Sequence, residues 1–539
     1  MANDKSTNSK FISGSFWMTF GNVASNLLGA LYVIPWLNWL RPNDAIANSL
    51  FSKGYQWYAL FLVISQAGIP GAIAKQVAKY NALGEYSTSK KIFKHGAMFM
   101  VALGFLFSVI MFVVAPVLSA GDNRLIPIFR SLSVAILIIP VMSLLRGFTQ
   151  GFNDMKPSAI SLLIEQIFRI IFILGSTYLI IKVFHRSYVL AVVFSTFAAF
   201  IGAVFSLLFL LSTILLHKKK YHLNVNERNS RLSTTDLFLE IIKQSVPYIF
   251  TDSSITLFFL IDQYTFNRAM LLVKHYSKDQ LDFFYALFAA NANKLTTIVL
   301  SLAVAMAVSL TPLLSSMITK KEVGKIRVQI RKILEVFNFI IFPASLGVMA
   351  VAAPLYTIFY RYDRLGILIL QISAVVCIVE AMFMVLSAIF QASYFNSVAI
   401  KYLLFGIGLK LLFQFPCVYF MREKGAIFAT GLALLITCLL MFRELVHTFS
   451  LKLNYFMRRS FALLLLSMVM ALVTNFAVKL MYHFVDPRDR FLAVIILIVA
   501  IILGVIIYGF LVLKTGLANY VFGKKALQKI KKMIFRSGN

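Results

Sequence analysis

Blocks of apolar residues, separated by short polar breaks, run through the whole chain. Many blocks reach about 20 residues, for example 126–145 and 491–513, the length that a helix needs to cross the core of a bilayer. Backbone groups in a bilayer must be hydrogen-bonded within the segment, so the blocks predict helices. The pattern predicts fourteen spans, near 12–36, 47–73, 92–118, 126–149, 158–182, 188–216, 240–265, 283–311, 333–358, 364–391, 398–421, 425–449, 460–484 and 491–513.

The composition supports this prediction and excludes a water-soluble globular protein. Of 539 residues, 60% are hydrophobic and 14% are charged, whereas soluble domains carry roughly 25% charged residues. The net charge of +31 lies mainly in short segments between the apolar blocks. This pattern is typical of membrane topology, and we expect no nucleic-acid partner.

The distribution of basic residues predicts the orientation. If the amino terminus is cytoplasmic, the tail and the loops on its side carry about 33 of the 52 Lys and Arg, and the opposite loops about 14. Cytoplasmic loops of membrane proteins carry such an excess. We therefore expect both termini in the cytoplasm.

An internal repeat divides the chain. Gln150-Gly151 is followed nineteen residues later by Arg169, and Gln391-Ala392, at an offset of 241, is followed nineteen residues later by Lys410. Pro70 and Pro312 give an offset of 242. An even number of spans per repeat predicts two parallel six-helix lobes, which is a transporter architecture.

The fold class predicted is therefore an all-α membrane protein of about fourteen transmembrane helices, with two parallel six-helix lobes and two further helices. The predicted divisions are an amino-terminal lobe at 1–217, a basic cytoplasmic linker at 218–238, a second lobe at 239–450, a helix pair at 451–515 and a basic cytoplasmic tail at 516–539.

Charged residues inside spans are the candidate site residues. A charge at the centre of a bilayer costs at least about 2.5–3.5 kcal/mol, so such groups usually face a cavity or a partner. The candidates for substrate binding in a central cavity are Lys53, Arg268, Lys294, Arg169, Lys410 and Glu165. Lys53 and Arg268 lie near the outer ends of their spans, where snorkelling to headgroups is the alternative.

The other candidates also have structural alternatives. Glu165 precedes Arg169 by one turn, so this pair can simply neutralise itself. Lys410 lacks a matching acid, and Glu380 is a candidate partner. Lys294 shares a predicted helix face with Asn291.

Three acids are candidate sites for a coupling ion: Asp252, Asp262 and Glu380. A structural ion pair is the alternative for Asp252, and pairing with Lys410 is the alternative for Glu380. The sequence carries no phosphate loop and no HExxH motif, so we expect neither an enzyme nor a metal site or cofactor. The expected driving force is a Na⁺ gradient, a H⁺ gradient or the membrane potential.

Three stretches resemble a known family: Phe16-Trp17-Met18-Thr19 with 28–36, 67–75, and Arg146-Gly147-Phe148-x-Gln150-Gly151 running through Pro157-Ser158-Ala159-Ile160 to Glu165-Gln166-x-x-Arg169. They are similar to the polysaccharide-exporter branch of the multidrug/oligosaccharidyl-lipid/polysaccharide (MOP) flippase superfamily, in its YtgP/SpoVB type, which is related to the MurJ lipid II flippases. The resemblance implies two lobes in a V shape, a cationic cavity for a diphosphate-sugar headgroup and a groove beside the last two spans for a polyprenyl tail.

The chain departs from this family at one point. Gram-negative MurJ proteins carry functionally important arginines in span 1, whereas residues 14–35 contain no basic residue. The resemblance therefore implies that other bases contact the headgroup, and Lys53, Arg268 and Lys294 are the leading candidates.

The leading hypothesis is a flippase of the bacterial plasma membrane that moves a polyprenyl-diphosphate-linked oligosaccharide, with lipid II for peptidoglycan first among the candidates, from the inner to the outer leaflet. The expected partners are this substrate, membrane lipids and cell-wall synthesis proteins. One alternative is a flippase for exopolysaccharide or teichoic-type repeat units. Others are a cation-coupled multidrug antiporter and a scaffold for cell-wall enzymes.

Overall fold

The computed structural model describes residues 17, 21, 24–25, 28–66, 69–152, 154–225, 249–250, 253–319, 323–451 and 454–518. Within these ranges the secondary structure is helical and contains no strand, which confirms the all-α class.

The helices of the first half overlap the predicted spans, although α1 covers only the end of the span predicted at 12–36, part of which lies outside the described residues. They are α1 (Val33–Trp39), α2 (Asp44–Gln66), α3 (Ile69–Ala82), α4 (Tyr86–Leu118), α5 (Leu125–Gly151), α6 (Met155–Tyr178), which continues into a π-helical turn at Leu179–Val183, and α7 (Tyr188–Leu216).

The second half continues this pattern. Its helices are α8 (Ser254–Val273), α9 (Lys278–Tyr285), a π-helical turn (Ala286–Ala292), α10 (Asn293–Thr319), α11 (Val323–Ala350), α12 (Ala352–Phe359), α13 (Arg364–Ala392), α14 (Asn396–Met421), α15 (Gly425–Phe449), α16 (Asn454–Phe484) and α17 (Arg490–Lys514).

Among the described residues, ten segments are long and apolar enough to cross a membrane, and one of them contains both α14 and α15. The chain is thus a multi-pass membrane protein. The predicted span 188–216 has the bounds of α7, and 425–449 has those of α15.

Two predicted spans are each divided between two separate α-helices in the structure. The span predicted at 47–73 consists of α2 and α3, and Pro70 is the second residue of α3, a position where the missing N–H breaks no hydrogen bond within the helix. The span predicted at 333–358 begins at Val323 and ends at Ala350, with α12 following separately. Basic residues in the first turns of α11 hid its true start from an apolarity criterion.

The described residues form two compact units. In the first unit, made of residues up to 268 and 276–286, α5 packs against α2, α3, α4 and α7. Its most apolar 18-residue window is 72% buried. Residues 276–286, which the sequence repeat assigns to the second lobe, thus belong to the first unit.

In the second unit, made of residues 269–275 and 287 onwards, α13 packs against α10, α11 and α15. The most apolar 18-residue window of α13 is 61% buried. Each repeat therefore contributes one central helix, at an offset that matches the sequence period. The helix pair α16 and α17 packs on α11 and α12, and only 22% of the α17 window is buried, as expected for a helix that faces lipid.

Candidate functional site

The first unit contains a buried arginine cluster, formed by Arg146, Glu165 and Arg169. The two oxygens of Glu165 are shared: Oε2 accepts a hydrogen bond of 2.8 Å from Arg146, and Oε1 accepts one from Arg169. Arg146 also donates to Ser161 Oγ at 2.9 Å and to Ser206 Oγ at 3.1 Å. The predicted Glu165–Arg169 pair therefore exists, and a second arginine joins it.

Close packing of α6 and α7 holds this cluster in place. Gly202 of α7 faces α6, where a Cβ atom would lie 2.5 Å from the Glu165 carbonyl oxygen and 3.2 Å from Arg169 Cβ. Only glycine permits this approach without a shift of the backbone. The α-helical spacing of Glu165 and Arg169 then places both side chains on one face of α6.

Two guanidinium groups share one carboxylate, so the arginine cluster carries a net charge of +1 within the helical bundle. Tyr32, Tyr55 and Tyr58 lie within electrostatic range of Arg169. Among the described residues, the Arg169 Nε and the Tyr58 hydroxyl are buried without a hydrogen-bond partner. Both groups can donate a hydrogen bond, and phosphoryl oxygens are acceptors that suit a guanidinium donor.

A second cluster, the Asp282 cluster, consists of Lys53, Asp122, Arg124, Lys278 and Asp282. The carboxylate of Asp282 is 1% exposed and accepts from Lys53 Nζ at 2.6 Å and from Arg124 Nη2 at 2.6 Å. Asp122 accepts from Arg124 at 2.9 Å and from Lys278 at 3.0 Å. Lys53 also lies over the ring of Tyr285.

Asp122 lies in the loop between α4 and α5 and is ionised at neutral pH. Burial by itself raises its pKa, but hydrogen bonds from Arg124 and Lys278, together with the charge of Arg124, have the larger combined effect and lower the pKa to about 2. The carboxylate therefore remains a permanent partner of the two bases.

Local sequence explains how α9 presents Asp282. Ser277 and Gln280 form a capping box, in which each side chain accepts from the other residue's backbone N–H at 3.2 and 3.0 Å, so the helix begins at Lys278. Asp282 follows one turn later.

A chain of hydrogen bonds lies beside the Asp282 cluster. Trp57 donates to the Tyr264 hydroxyl at 2.7 Å, and Tyr264 donates to the Leu118 carbonyl oxygen at 2.8 Å.

A cavity of about 240 Å³ adjoins the Asp282 cluster. Its polar lining includes Lys53, Asp122, Lys278 and Asp282, together with Gln263 and Asn267 of α8. Among the described residues, the side-chain oxygens of Gln263 and Asn267 have no hydrogen-bond partner. The cavity is thus polar and can admit a polar or anionic group.

Of the other predicted site residues, Asp262 lies near the Asp282 cluster, since Asp262 and Asp282 both act electrostatically on Tyr285. Arg268 is exposed, Lys294 is partly exposed in α10, and Asp262 and Glu380 are buried in α8 and α13. Asp252 lies outside the described residues. No described hydrogen bond or ion pair joins the arginine cluster to the Asp282 cluster.

Lys410 is fully enclosed between α14 and α15. Its Nζ donates to the Ala426 carbonyl oxygen at 2.9 Å and to Thr430 Oγ1 at 2.7 Å, and the residue is 0% exposed. In this conformation it has no surface through which it could contact a substrate.

The polar stretch around Lys294 also differs from the sequence expectation. Asn291 belongs to the π-helical turn and donates to the Tyr356 hydroxyl at 2.8 Å, whereas Lys294 belongs to α10. Their predicted common face assumed α-helical spacing throughout, and this spacing does not hold across the π turn.

Sequence reasoning missed Arg146, Asp122, Arg124 and Asp282. Arg146 lies within the predicted span 126–149, so the rule that selected the other buried bases could have found it. Asp282 precedes the predicted span 283–311 by one residue, and the capping box before it was a readable signal. The two loop residues gave no signal of their own.

The described part of the chain has no group of three or more His, Cys, Asp and Glu residues arranged to hold a metal ion.

A bundle of membrane-spanning helices with buried cationic clusters defines this chain as a polytopic membrane protein with a transporter fold. Two solved structures share the fold. One is the lipid II flippase MurJ in an inward closed conformation, with a TM-score of 0.60 at 14% identity over 92% of this chain and 99% of that one. The other is an inward-facing multidrug transporter of the MATE family, with a TM-score of 0.59 at 15% identity over 80% and 94%.

The family model described as "Polysaccharide biosynthesis protein" matches residues 11–318, and the chain belongs to this family of the MOP superfamily. The lipid II flippase MurJ of Bacillus subtilis (strain 168) is 33% identical over 96% of this chain and 97% of its own length. The stage V sporulation protein B of the same organism is 25% identical over 30% of this chain and 31% of its own length.

Proposed function

We propose that this protein flips a polyprenyl-diphosphate-linked sugar precursor, lipid II for peptidoglycan synthesis, from the inner to the outer leaflet of the plasma membrane by alternating access. The observation that carries the proposal is the 33% identity, over nearly the whole of both chains, to the lipid II flippase MurJ of Bacillus subtilis. The fold is shared with MATE transporters in inward-facing and outward-facing conformations, which supports alternating access. The activity is transport, not catalysis.

The arginine cluster is the proposed contact for the diphosphate. Its net positive charge suits phosphoryl oxygens, as do the Arg169 Nε and the Tyr58 hydroxyl, which have no hydrogen-bond partner among the described residues. In this proposal, Arg146 and Arg169 take the place of the basic residues that 14–35 lack. Lys53 is already paired with Asp282 in this conformation, so it can bind a substrate only after the substrate has replaced Asp282 as its partner.

The leaflet distribution of lipid II tests the function directly. Depletion of the protein from its own cells should make lipid II accumulate on the inner leaflet, and expression should rescue a strain that lacks its lipid II flippase. An unchanged leaflet distribution after depletion, in cells without a second flippase, would refute the lipid II assignment.

A membrane potential is the proposed driving force, because an inside-negative potential favours outward movement of an anion. A Na⁺ or H⁺ gradient is the alternative, with Asp262, Glu380 and Asp252 as candidate ion sites. Asp262 and Glu380 are 2% and 8% exposed, so ion binding there would require a path from solvent.

Both termini are proposed to be cytoplasmic, which places the Asp282 cluster at the outer surface. The basic excess on one side of the spans supports this orientation. A fluorescent protein fused to the carboxyl terminus should fold and fluoresce, and alkaline phosphatase fused there should be inactive. The reverse pair of results would invert the assignment.

Export of an exopolysaccharide or teichoic-type repeat unit is the second candidate, favoured by the description of the matching family. Failure to rescue a strain without its lipid II flippase, with the protein present in the membrane, would support it. A cation-coupled multidrug antiporter is the third candidate. It predicts increased resistance to cationic dyes, whereas a cationic cluster repels such compounds. Cell-wall synthesis proteins are proposed as further partners.

A further inference from the structure

Asp282 joins segments that are distant in the sequence. Its carboxylate accepts from Lys53 of α2, Arg124 beside α5 and Ser49 of α2, which lie 229, 158 and 233 residues away. The aspartate itself belongs to α9, in the second sequence repeat. One carboxylate thus ties α9 to two helices of the first repeat.

The charges of the Asp282 cluster explain why the contact between α9 and the first repeat depends on the Asp282 carboxylate. Lys53, Arg124 and Lys278 contribute three positive charges to the Asp282 cluster, and Asp122 and Asp282 contribute two negative charges. Lys53 is only 5% exposed, and its Nζ lies 2.6 Å from the Asp282 carboxylate. Without Asp282, this poorly hydrated ammonium would lose a directly paired carboxylate, which is unfavourable.

The adjoining cavity gives a second anion access to the same base. Lys53 and Asp282 both line this space of about 240 Å³. Phosphoryl oxygens accept charge-assisted hydrogen bonds from ammonium and guanidinium groups as carboxylate oxygens do. A diphosphate in the cavity would therefore compete with Asp282 for Lys53.

We propose that Asp282 is an exchangeable counter-ion and a positioning residue for transport. It keeps α9 packed at the outer end of the first unit while Lys53 awaits a substrate, and it gives up Lys53 to the diphosphate headgroup, which loosens α9. The identity of the arriving anion rests on the proposed function. The role of Asp282 in closing the outer end does not.

Thiol accessibility tests the closing role. The reporter is Ser119→Cys, because Ser119 is 3% exposed, lines the cavity and is nearly the size of cysteine. It is placed in a chain whose Cys377, Cys417 and Cys438 are replaced by serine, and intact cells are treated with a membrane-impermeant maleimide. An open state normally populated at no more than about 10% gives slow labelling, and Asp282→Asn should raise the rate about tenfold.

Asp279→Asn is the matched control, because Asp279 lies on the same helix but its side chain is 68% exposed and 3.8 Å from Arg124. It should label within about twofold of the parent reporter, as an exposed pair contributes little. An unchanged rate for Asp282→Asn would overturn the proposal. So would equal increases for both variants.

A double variant separates charge from structural damage. Lys53→Met combined with Asp282→Asn also removes the ammonium that Asp282→Asn leaves without its carboxylate, so labelling should be slower than in Asp282→Asn alone. Labelling as fast as in Asp282→Asn alone would refute the counter-ion explanation. If Asp282→Asn does not reach the membrane, Lys53→Met alone replaces it. It breaks one of two ion pairs and should label about threefold faster, and an unchanged rate would count against the proposal.

Purified reporter protein in lipid vesicles tests the exchange itself. Addition of lipid II should speed the labelling of the parent reporter, with no response in the Lys53→Met/Asp282→Asn double variant and none to phosphatidylglycerol at equal concentration. Fast labelling of Asp282→Asn without any response to lipid II would refute the exchange and argue against the proposed substrate. If Asp282→Asn instead labels at the parent rate, the proposed role of Asp282 is refuted. The lipid II assignment is then still tested independently by the leaflet assay.

Discussion

Arg169 has a buried donor that no described residue accepts from, and it shares its acid with a second arginine. Replacement by glutamine leaves Glu165 paired with Arg146, so the fold should survive while the net positive charge disappears. A charge-assisted hydrogen bond is worth about 1.5–3 kcal/mol, so Arg169→Gln should slow lipid II flipping roughly 10- to 100-fold. Reconstituted vesicles with a leaflet-specific readout would measure this rate.

Lys479→Gln is the control for Arg169→Gln. Lys479 is an exposed base of α16, where its ammonium can reach the headgroups. We expect flipping within about twofold of the native rate for this variant. Equal rates for Arg169→Gln and the native protein would show that the arginine cluster does not contact the substrate.

The lowered pKa of Asp122 gives a prediction for pH dependence. A carboxyl whose pKa falls from 3.8 to about 2 on folding stabilises the folded protein above its unfolded pKa, and this contribution is lost as the pH falls through about 2. The difference in thermal midpoint between the native protein and Asp122→Asn should therefore be constant from pH 5 to 8 and shrink as the pH approaches 2. A difference already lost at pH 5 would contradict the pairing with Arg124 and Lys278.

At the scale of helices, the contact of α6 with α7 depends on Gly202. Alanine at this position would press on the Glu165 carbonyl oxygen, and such overpacking costs about 1–3 kcal/mol. Gly202→Ala should lower the thermal midpoint in detergent and also slow flipping, because Glu165 and Arg169 move with the backbone.

Gly175→Ala in α6 is the matched control, since a Cβ atom there meets nothing within 4 Å. Both substitutions raise helix propensity equally, so their difference isolates the close approach of the two helices. Equal midpoints for the two variants would mean that α7 adjusts without cost.

Helices were predictable from the sequence, whereas long-range pairs were not. Apolar blocks gave α7 and α15 at their observed bounds because hydrophobic length alone determines a membrane span. The partners of Asp282 lie more than 150 residues away, and only packing brings them together. The Glu165–Arg169 pair was predictable because it is local to one helix, but the addition of Arg146 required the packing of α5 against α6.

At the scale of the whole molecule, the direction of transport should follow the membrane potential. Moving an elementary charge through about 100 mV changes the free energy by about 2.3 kcal/mol, and the substrate carries a diphosphate. Vesicles with a potassium diffusion potential should show faster flipping toward the positive side, and collapse of the potential should remove the difference. Flipping that instead depends on a Na⁺ or H⁺ gradient at zero potential would favour the candidate acids as ion sites.

The π-helical turn at Ala286–Ala292 affects the continuous helical segment that runs from α9 into α10. Its wider hydrogen-bond spacing accommodates an additional residue, and each α-helical residue advances the helix by about 100°. Deletion of one alanine from the turn should therefore restore an unbroken α-helix and leave the rotational phase of α9 relative to α10 nearly unchanged, whereas a deletion within α10 would shift it by roughly that angle. A one-residue deletion in the turn should thus be better tolerated than one within α10, and alignments that place a gap outside the turn would misassign which residues of α9 face the bundle.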